Sequence, residues 1–236
     1  MMIHVIPAHE RHFTDMDWLK TYWLFSFSNY YDPANLSHGT LRVFNDDIVL
    51  SGKGFGRHPH EEMEIISIVL QGEMEHQETK GNHTRIRKND VQRMTAGTGL
   101  QHSEWNNSDE QVAFFQIWVL PETKGLTPSY DQKSFTPDMW RNRLHLLASN
   151  RPDNGAVSLN TDALIYRAGF DGEKAVTHRT DGERKLFAYV VEGEAKINGT
   201  PLGRRDQARI SELEQIEIVG SPGTDVLLID VPSQQP

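Results

Sequence analysis

Residues 52–72 read GKGFGRHPHEEMEIISIVLQG, and this stretch indicates how the chain folds. Three alternate glycines precede the pair His58 and His60, and an apolar run at residues 65–70 follows it. An apolar run of this length, close to glycine-rich sequence, is typical of a buried β-strand. Side chains two residues apart in an extended chain share a face, so His58 and His60 are expected to point the same way.

The rest of the chain repeats this strand-rich pattern. Short β-branched or aromatic segments alternate with Gly, Asn, Asp and Pro, and no long helical periodicity is present. Examples are residues 41–44, 114–120, 164–167, 186–191, 215–219 and 226–231. Many short strands at regular spacing predict an all-β fold, either a sandwich or a closed barrel.

A weak internal repeat favours two barrels over one large β domain. Residues 66–73 (ISIVLQGE) resemble residues 187–194 (FAYVVEGE), and each half ends in a strand followed by proline, at Pro121 and Pro232. Strand–Gly–strand hairpins also occur by chance in β proteins, but the two matches together favour a duplication. We therefore predict two tandem antiparallel barrels, at residues 1–130 and 131–236, joined through the Pro- and Gly-bearing stretch 121–137.

Composition narrows the classes of function. The 236 residues carry a net charge of −9 and no cysteine, which excludes disulfides, thiolate metal sites and a cysteine nucleophile. An acidic chain without a basic run is a poor candidate for direct binding to nucleic acid or an anionic membrane. The apolar runs are too short to span a bilayer, and no secretory signal opens the sequence. We expect a cytoplasmic protein.

A second pair of metal-type ligands lies downstream. His102 and Glu104 have the same i, i+2 spacing as the first pair and follow the turn-rich sequence TAGTG at residues 95–99. Two neighbouring strands that each offer two ligands on one face can surround one ion. Three imidazoles and a carboxylate suit Fe(II), Mn(II), Ni(II), Co(II) or Zn(II). The alternative is that these are surface histidines beside turns with a solvated Glu104; the two pairs in this order favour the metal site.

These motifs resemble those of the pirin family. The sequence GFGRHPH at residues 54–60, with Glu64 and Gly72, resembles the first cupin motif, and MTAGTGLQHSE at residues 94–104 resembles the second motif as pirins carry it. FSFSNYYDP at residues 25–33 is similar to the N-terminal signature of pirins. The resemblance runs from about residue 12 to 121, continues weakly to the C-terminus, and is closest to bacterial pirin-like bicupins.

The resemblance implies which residues bind the metal. It implies His58, His60, His102 and Glu104 as the ligands of one divalent ion, with Fe(II) the expected metal. In many other cupins the carboxylate ligand lies at the position of Glu64, whereas in pirins it lies at Glu104. Glu64 is left as a group that supports the ligands or as a charge at a strand edge. The C-terminal half has only His145 and His178, neither with a His or Glu two residues away, and is expected to bind no metal.

The resemblance also implies a function. Some bacterial pirins are described as quercetin 2,3-dioxygenases, so we expect a metal-dependent dioxygenase that opens flavonols such as quercetin with O2 and releases carbon monoxide. Glu104, or less readily Glu64, would take the proton of the flavonol's 3-hydroxyl. The alternative is a non-enzymatic metal- or redox-sensing regulator with a protein partner, since pirins of higher organisms are linked to transcriptional regulation. The sequence leaves the natural substrate and the oligomeric state open, a monomer included.

Overall fold

The computed structural model describes residues 2–151 and 155–234, and the prediction of an all-β fold is confirmed. The described residues contain no α-helix and only two short 3-10 turns, at Ala8–Glu10 and Pro137–Trp140. The first twelve strands are β1 (Met2–Ile6), β2 (His12–Asp15), β3 (Leu19–Trp23), β4 (Leu41–Val49), β5 (Lys53–His60), β6 (Glu64–Gln71), β7 (Glu73–Glu78), β8 (His83–Arg87), β9 (Asp90–Thr95), β10 (Leu100–Asn106), β11 (Val112–Val119) and β12 (Ser129–Ser134).

The second half of the chain repeats the arrangement with shorter strands. They are β13 (His145–Ser149), β14 (Val157–Ser158), β15 (Leu164–Gly169), β16 (Lys174–Arg179), β17 (Lys185–Glu192), β18 (Ala195–Ile197), β19 (Thr200–Leu202), β20 (Gln207–Ser211), β21 (Gln215–Gly220) and β22 (Asp225–Val231). All the strand pairings are antiparallel except the short parallel pair β13–β14.

Each half consists of one seven-stranded sheet and one four-stranded sheet. In the N-terminal half these have the orders β12-β9-β6-β11-β4-β3-β2 and β5-β10-β7-β8. In the C-terminal half the orders are β1-β20-β17-β22-β15-β13-β14 and β16-β21-β18-β19. Strand for strand, β5 of the first half therefore corresponds to β16 of the second, which supports the internal repeat seen in the sequence.

The two large sheets bury different residues on their two faces. In the N-terminal half, Val69 and Phe114 of the large sheet pack with Met74 and Ile86 of the small sheet, and this face surrounds the interior of that half. The opposite face carries residues such as Phe44, Ile66 and Phe115, which share one apolar cluster with Phe187, Tyr189 and Ile229 of the C-terminal half. Consecutive strand residues alternate between these faces, so each large sheet is apolar on both sides.

The first strand of the chain belongs to the sheet of the C-terminal half. Strand β1 begins the sequence but pairs with β20 in the C-terminal sheet, from Met2 opposite Ser211 to Ile6 opposite Gln207. Strand β12 lies within the predicted linker at residues 121–137 and pairs with β9 in the N-terminal sheet. The division between residues 130 and 131 stays a prediction about the sequence units; in the structure β12 spans that division, and β1 belongs to the sheet on its far side.

Buried polar groups add specific bonds to the apolar interface between the halves. The Asp46 carboxylate accepts hydrogen bonds from the hydroxyl of Tyr189 at 2.8 Å and from the guanidinium of Arg205 at 2.8 Å, and Arg11 lies 3.1 Å from the same oxygen. A buried carboxylate needs such partners because its desolvation is costly. None of the helical turns in the described residues has the length and apolar character needed to cross a membrane.

Candidate metal centre

The two predicted ligand pairs lie on neighbouring strands. His58 and His60 are on β5, His102 and Glu104 are on β10, and the antiparallel register places His102 directly opposite His58. The three imidazole rings meet with centroids 4.4 to 4.8 Å apart. The structure therefore brings together the histidines that the i, i+2 spacing predicted.

Strand β5 contains a β-bulge beside the histidines. Between His102 and Glu104 the register shifts, so that Glu104 pairs with Phe55 and β5 holds one residue more than β10. Bulges of this kind change the direction in which side chains point and are frequent at functional sites. Beside the bulge, a Cβ atom on Gly54 would lie 2.2 Å from the carbonyl oxygen of Glu104, so only glycine fits there.

Hydrogen bonds orient the rings. Nδ1–H of His58 donates to the carbonyl oxygen of Gly56 at 2.7 Å, which leaves the lone pair of His58 on Nε2. That atom lies 2.9 Å from Nε2 of His102. On its other side, Nδ1 of His102 lies 3.4 Å from Nδ1 of His76, a residue on the adjacent strand β7.

The histidine nitrogens fit a common metal ion. Two nitrogens that each lie about 2.1 Å from one ion at right angles are about 3 Å apart, close to the separation between Nε2 of His58 and Nε2 of His102. Burial lowers the pKa of His102 to about 2 and that of His60 to about 4, with neighbouring histidine charges as a second cause. The rings are therefore neutral near pH 7, and the neutral imidazole is the form that binds metals.

Glu104 contributes a buried carboxylate beside these rings. It is 4% exposed, its Oε2 accepts a hydrogen bond from the side-chain amide of Gln116 at 3.1 Å, and its Oε1 has no protein partner among the described residues. Burial raises the pKa of Glu104 to about 7. A cation at the histidines would satisfy the free oxygen and favour the ionised form, so the residues present fit a divalent metal.

His76 belongs to the same cluster, and the sequence analysis did not predict its place there. Candidate ligand atoms group as His58, His60 and His102, and as His76, His102 and Glu104, within 4.8 Å of one another in each group. The groups share His102, so all five side chains surround one small region. His76 is fully buried, and burial lowers its pKa to about 4.

A cavity of about 230 Å³ adjoins the cluster. Its walls are mostly apolar and are formed by Met16, Trp18, Leu19, Trp23, Phe27, Phe55 and Trp118. His58, His60, His102 and Glu104 line it as well. Trp118 stands edge-on to the ring of His60, with centroids 5.0 Å apart. An apolar cavity with a few polar groups at one end is the usual form of a small-molecule site.

The aromatic residues of β10 and β11 contribute to the cavity wall only in part. Of Trp105, Phe114 and Trp118, only Trp118 lines the cavity. Phe114 is buried in the apolar cluster below, and Trp105 is 39% exposed on the other face of β10. The remaining aromatic residues of the cavity come from β3, β5 and the segments beside them, which the sequence analysis did not consider.

Glu64 lies away from the cavity and the histidines. It begins β6 on the face turned toward the C-terminal half, where its oxygens accept hydrogen bonds from the Thr95 hydroxyl at 2.7 Å and the backbone N–H of Asn160 at 2.8 Å. The guanidinium of Arg93 lies 3.6 Å from the carboxylate. The structure does not bring Glu64 to the predicted site, and its contacts are those of a group that joins the two halves.

The corresponding position in the C-terminal half contains an ion-pair network. Nε2 of His178, on β16, donates to the Asp230 carboxylate at 2.6 Å. Arg184 binds the same carboxylate and also Asp162. His178 is thus held by a buried acid, where its counterpart strand in the N-terminal half presents His58 and His60.

The structure adds polar cavity residues that the sequence analysis missed. Asn45 and Asp47 of β4 and Gln116 of β11 line the cavity opposite the aromatic walls. Burial raises the pKa of Asp47 to about 8, with the nearby Asp46 and Glu104 carboxylates as further causes. The available signal was the polar run Asn45, Asp46 and Asp47 within the mostly buried strand β4, since buried polar residues need a reason.

Comparisons with known proteins find similar sequences over nearly the whole chain. The model of a family described as Pirin matches residues 7–119, and one described as the quercetinase C-terminal cupin domain matches residues 146–231. Quercetin 2,3-dioxygenase of Escherichia coli K12 is 38% identical over 232 residues, which cover 98% of this chain and 99% of that protein. A pirin-like protein of Caulobacter vibrioides is 36% identical over 217 residues, covering 92% and 94%.

A solved structure extends the comparison to three dimensions. The bacterial pirin YhhW of Escherichia coli, in complex with nickel(II), superposes with a TM-score of 0.92 at 37% identity, covering 98% of this chain and 99% of that one. The two chains therefore share one fold over their whole length.

Proposed function

The chain belongs to the pirin family, and on that basis we propose that it is a metal-dependent dioxygenase that cleaves flavonols such as quercetin. The observation that carries the proposal is the position of the cluster: three histidines and the buried Glu104 lie at one end of an apolar, aromatic-walled cavity. A planar aromatic substrate fits such walls, and its polar edge would meet the metal ligands.

In this proposal His58, His60, His102 and Glu104 hold one divalent ion. When bound, the ion supplies a Lewis acid that stabilises the negative charge of a deprotonated enol and a redox-capable centre for chemistry with O2. Fe(II) is the proposed metal, while Mn, Co, Ni and Zn suit the same ligands. His76 would support His102, and the cavity walls would exclude water from the reacting substrate.

Glu104 is the proposed proton acceptor. The flavonol's 3-hydroxyl must lose its proton before the ring can react, and Glu104 is the carboxylate that both lines the cavity and lies beside the histidines. Gln116 donates to Oε2 of Glu104, so Oε1 is the oxygen that would face the ion in the substrate-free protein and would receive the proton once a flavonol is bound. Because Glu64 is engaged with Thr95 and Asn160, it has no part in this step.

The regulatory alternative is not favoured. A sensor needs no substrate cavity, whereas here the proposed ligands open onto one, and the relatives that match over the whole chain include quercetin 2,3-dioxygenases. We further propose a cytoplasmic protein in which each half closes as a cupin barrel, the C-terminal one without metal. Besides the substrate and O2, the proposal requires no partner.

The test is reconstitution. Metal-free protein would be loaded anaerobically with Fe, Mn, Co, Ni or Zn in turn and mixed with quercetin and O2. We expect oxygen uptake with matching loss of the flavonol absorbance band for at least one metal, and neither for the His58→Ala variant. Stoichiometric metal binding without any oxygen uptake, for all five metals, would favour the regulatory role over the dioxygenase.

A further inference from the structure

Asn45 lies at one end of a row of polar side chains on the interior face of the large N-terminal sheet. On β4 it pairs with Gln116 of β11, Gln116 pairs with Ser67 of β6, and Ser67 pairs with Gln92 of β9. All four residues are buried, and each has at least one buried polar atom without a protein partner among the described residues. A buried polar atom without a partner has lost its hydration and gained no hydrogen bond in exchange, so a row of them calls for an explanation.

Two members of the row face the cavity. Asn45 and Gln116 line it, whereas Gln92 and Ser67 do not. The unpartnered atoms of the cavity-lining pair are both amide oxygens, Oδ1 of Asn45 and Oε1 of Gln116. Both are hydrogen-bond acceptors, and the cavity they line is mostly aromatic or aliphatic apart from Ser28, Asp47 and the candidate metal ligands. A ligand that satisfies them must bring hydrogen-bond donors on an apolar ring system.

We propose that Asn45 and Gln116 determine substrate specificity by accepting hydrogen bonds from free hydroxyl groups on the aromatic substrate, in addition to the enol that faces the metal ligands. This inference rests on the proposed function and names the substrate class more closely: a planar aromatic compound with several free hydroxyls. Analogues that lack the hydroxyls, or carry methyl ethers in their place, leave the amide oxygens unpaired. Sites built around such acceptors reject the analogue more strongly than apolar pockets reject a change in size.

Asn45 is the residue to change, because Gln116 also holds Glu104. Asn45→Leu replaces the amide by an apolar group of similar shape. The matched control is Gln92→Met, which removes another buried amide with unpartnered atoms from the same sheet face, but outside the cavity. Each protein would be loaded with the same metal and titrated anaerobically with quercetin and with 3-hydroxyflavone, using tryptophan fluorescence. The kcat/KM for both compounds would follow in air.

We expect the wild-type protein to prefer quercetin, and Asn45→Leu to reduce that preference by roughly 10-fold to 100-fold in binding and in kcat/KM. Metal content should stay at the wild-type level. Both variants should raise the Tm, since each removes an unpaired buried amide, but Gln92→Met should keep the wild-type preference. A structural role for Asn45 predicts instead a lower Tm and equal losses for both compounds.

An unchanged preference in Asn45→Leu overturns the inference. Should that variant fail to fold, Asn45→Ala removes the same oxygen without adding bulk. It is tested by the same measurement, the preference for quercetin over 3-hydroxyflavone. If the wild-type protein binds both compounds but consumes no oxygen, the dioxygenase proposal fails, while the ratio of the two binding constants still decides the role of Asn45.

Discussion

Nδ1 of His102 lies 3.4 Å from Nδ1 of His76, in the buried interior beside the cavity. Two unprotonated ring nitrogens would repel each other, so one of the two must carry the proton. If Nε2 of His102 binds the metal, its proton is on Nδ1, and His76 accepts it. This pairing fixes both the ring orientation and the tautomer of His102, as hydrogen-bonded partners of metal ligands commonly do.

Replacement of His76 should therefore weaken metal binding without abolishing it. We expect His76→Phe to lower the affinity about 10-fold to 100-fold, because Nδ1–H of His102 loses its acceptor. His76→Gln should recover part of the loss, since its amide oxygen can accept the same hydrogen bond. Titration with Co(II), followed by visible absorption, measures the affinity and the ligand geometry together.

The control for that experiment is His83→Gln on the neighbouring strand, where the side chain is 61% exposed. It should leave the titration unchanged. If His76→Gln binds Co(II) with a changed coordination number, His76 is itself a ligand, and the set of His76, His102 and Glu104 would describe the site better. Wild-type affinity for Co(II) in His76→Phe would show that the His76–His102 hydrogen bond does not support metal binding.

His58→Ala and His102→Ala should reduce bound metal to a trace. Each removes a ligand from a centre with only three histidines, and His102 belongs to both groups of candidate ligands. Metal analysis of the purified proteins gives the stoichiometry directly. His178→Ala is the matched control: it should keep one equivalent of metal but lower stability by about 1–3 kcal/mol, because the buried Asp230 loses a partner. A full equivalent in either N-terminal variant would contradict the ligand assignment.

Glu104→Gln should affect metal binding and turnover, whereas Glu64→Gln should affect stability. The first removes a negative charge beside the histidines, so it should lower metal affinity and flavonol turnover together. The second should keep the metal and lower the free energy of unfolding by about 1–3 kcal/mol, because Arg93 and Asn160 lose their charged partner at the interface. Metal titration, oxygen uptake and urea unfolding on the two variants make the comparison. Metal release by Glu64→Gln alone would place the carboxylate ligand in the other cupin motif.

His38 should make stability depend on pH. Its Nε2–H donates to the carbonyl oxygens of Leu186 and Ile210 across the interface, and burial, with Arg209 and Lys185 adding, lowers its pKa from 6.5 to about 4. Between these values the unfolded chain binds more protons at this position, so stability falls as the pH drops through that range. The loss should be on the order of 1–2 kcal/mol at pH 5.

The measurement compares urea unfolding at pH 7 and pH 5 for the wild-type protein and His38→Gln. Other buried histidines contribute equally to both proteins, so the difference between them isolates His38. The variant should show the smaller loss on acidification. Equal losses in the two proteins would mean that His38 is not protonated on unfolding in this range.

The sequence by itself predicted the all-β class, the duplication and the side chains proposed here as metal ligands. Alternation along an extended chain is a local property, so His58 with His60, and His102 with Glu104, had to share a face wherever their strands lay. Their convergence then needed only that β5 and β10 be neighbours, as the register confirms. The all-β class followed from the same local pattern, because strand-length apolar segments ended repeatedly at turn residues.

Only the tertiary structure decided which face of each buried strand points to the cavity and which points to the interface between the halves. Strand β6 is apolar on both faces, so the sequence could not tell whether Glu64 points to the cavity or to the interface; packing of the two large sheets turns it toward Asn160. The same packing brings His76 against His102 and places Asn45 and Gln116 in the cavity. These relationships join residues far apart in the chain, and only the assembled sheets fix the distances between them.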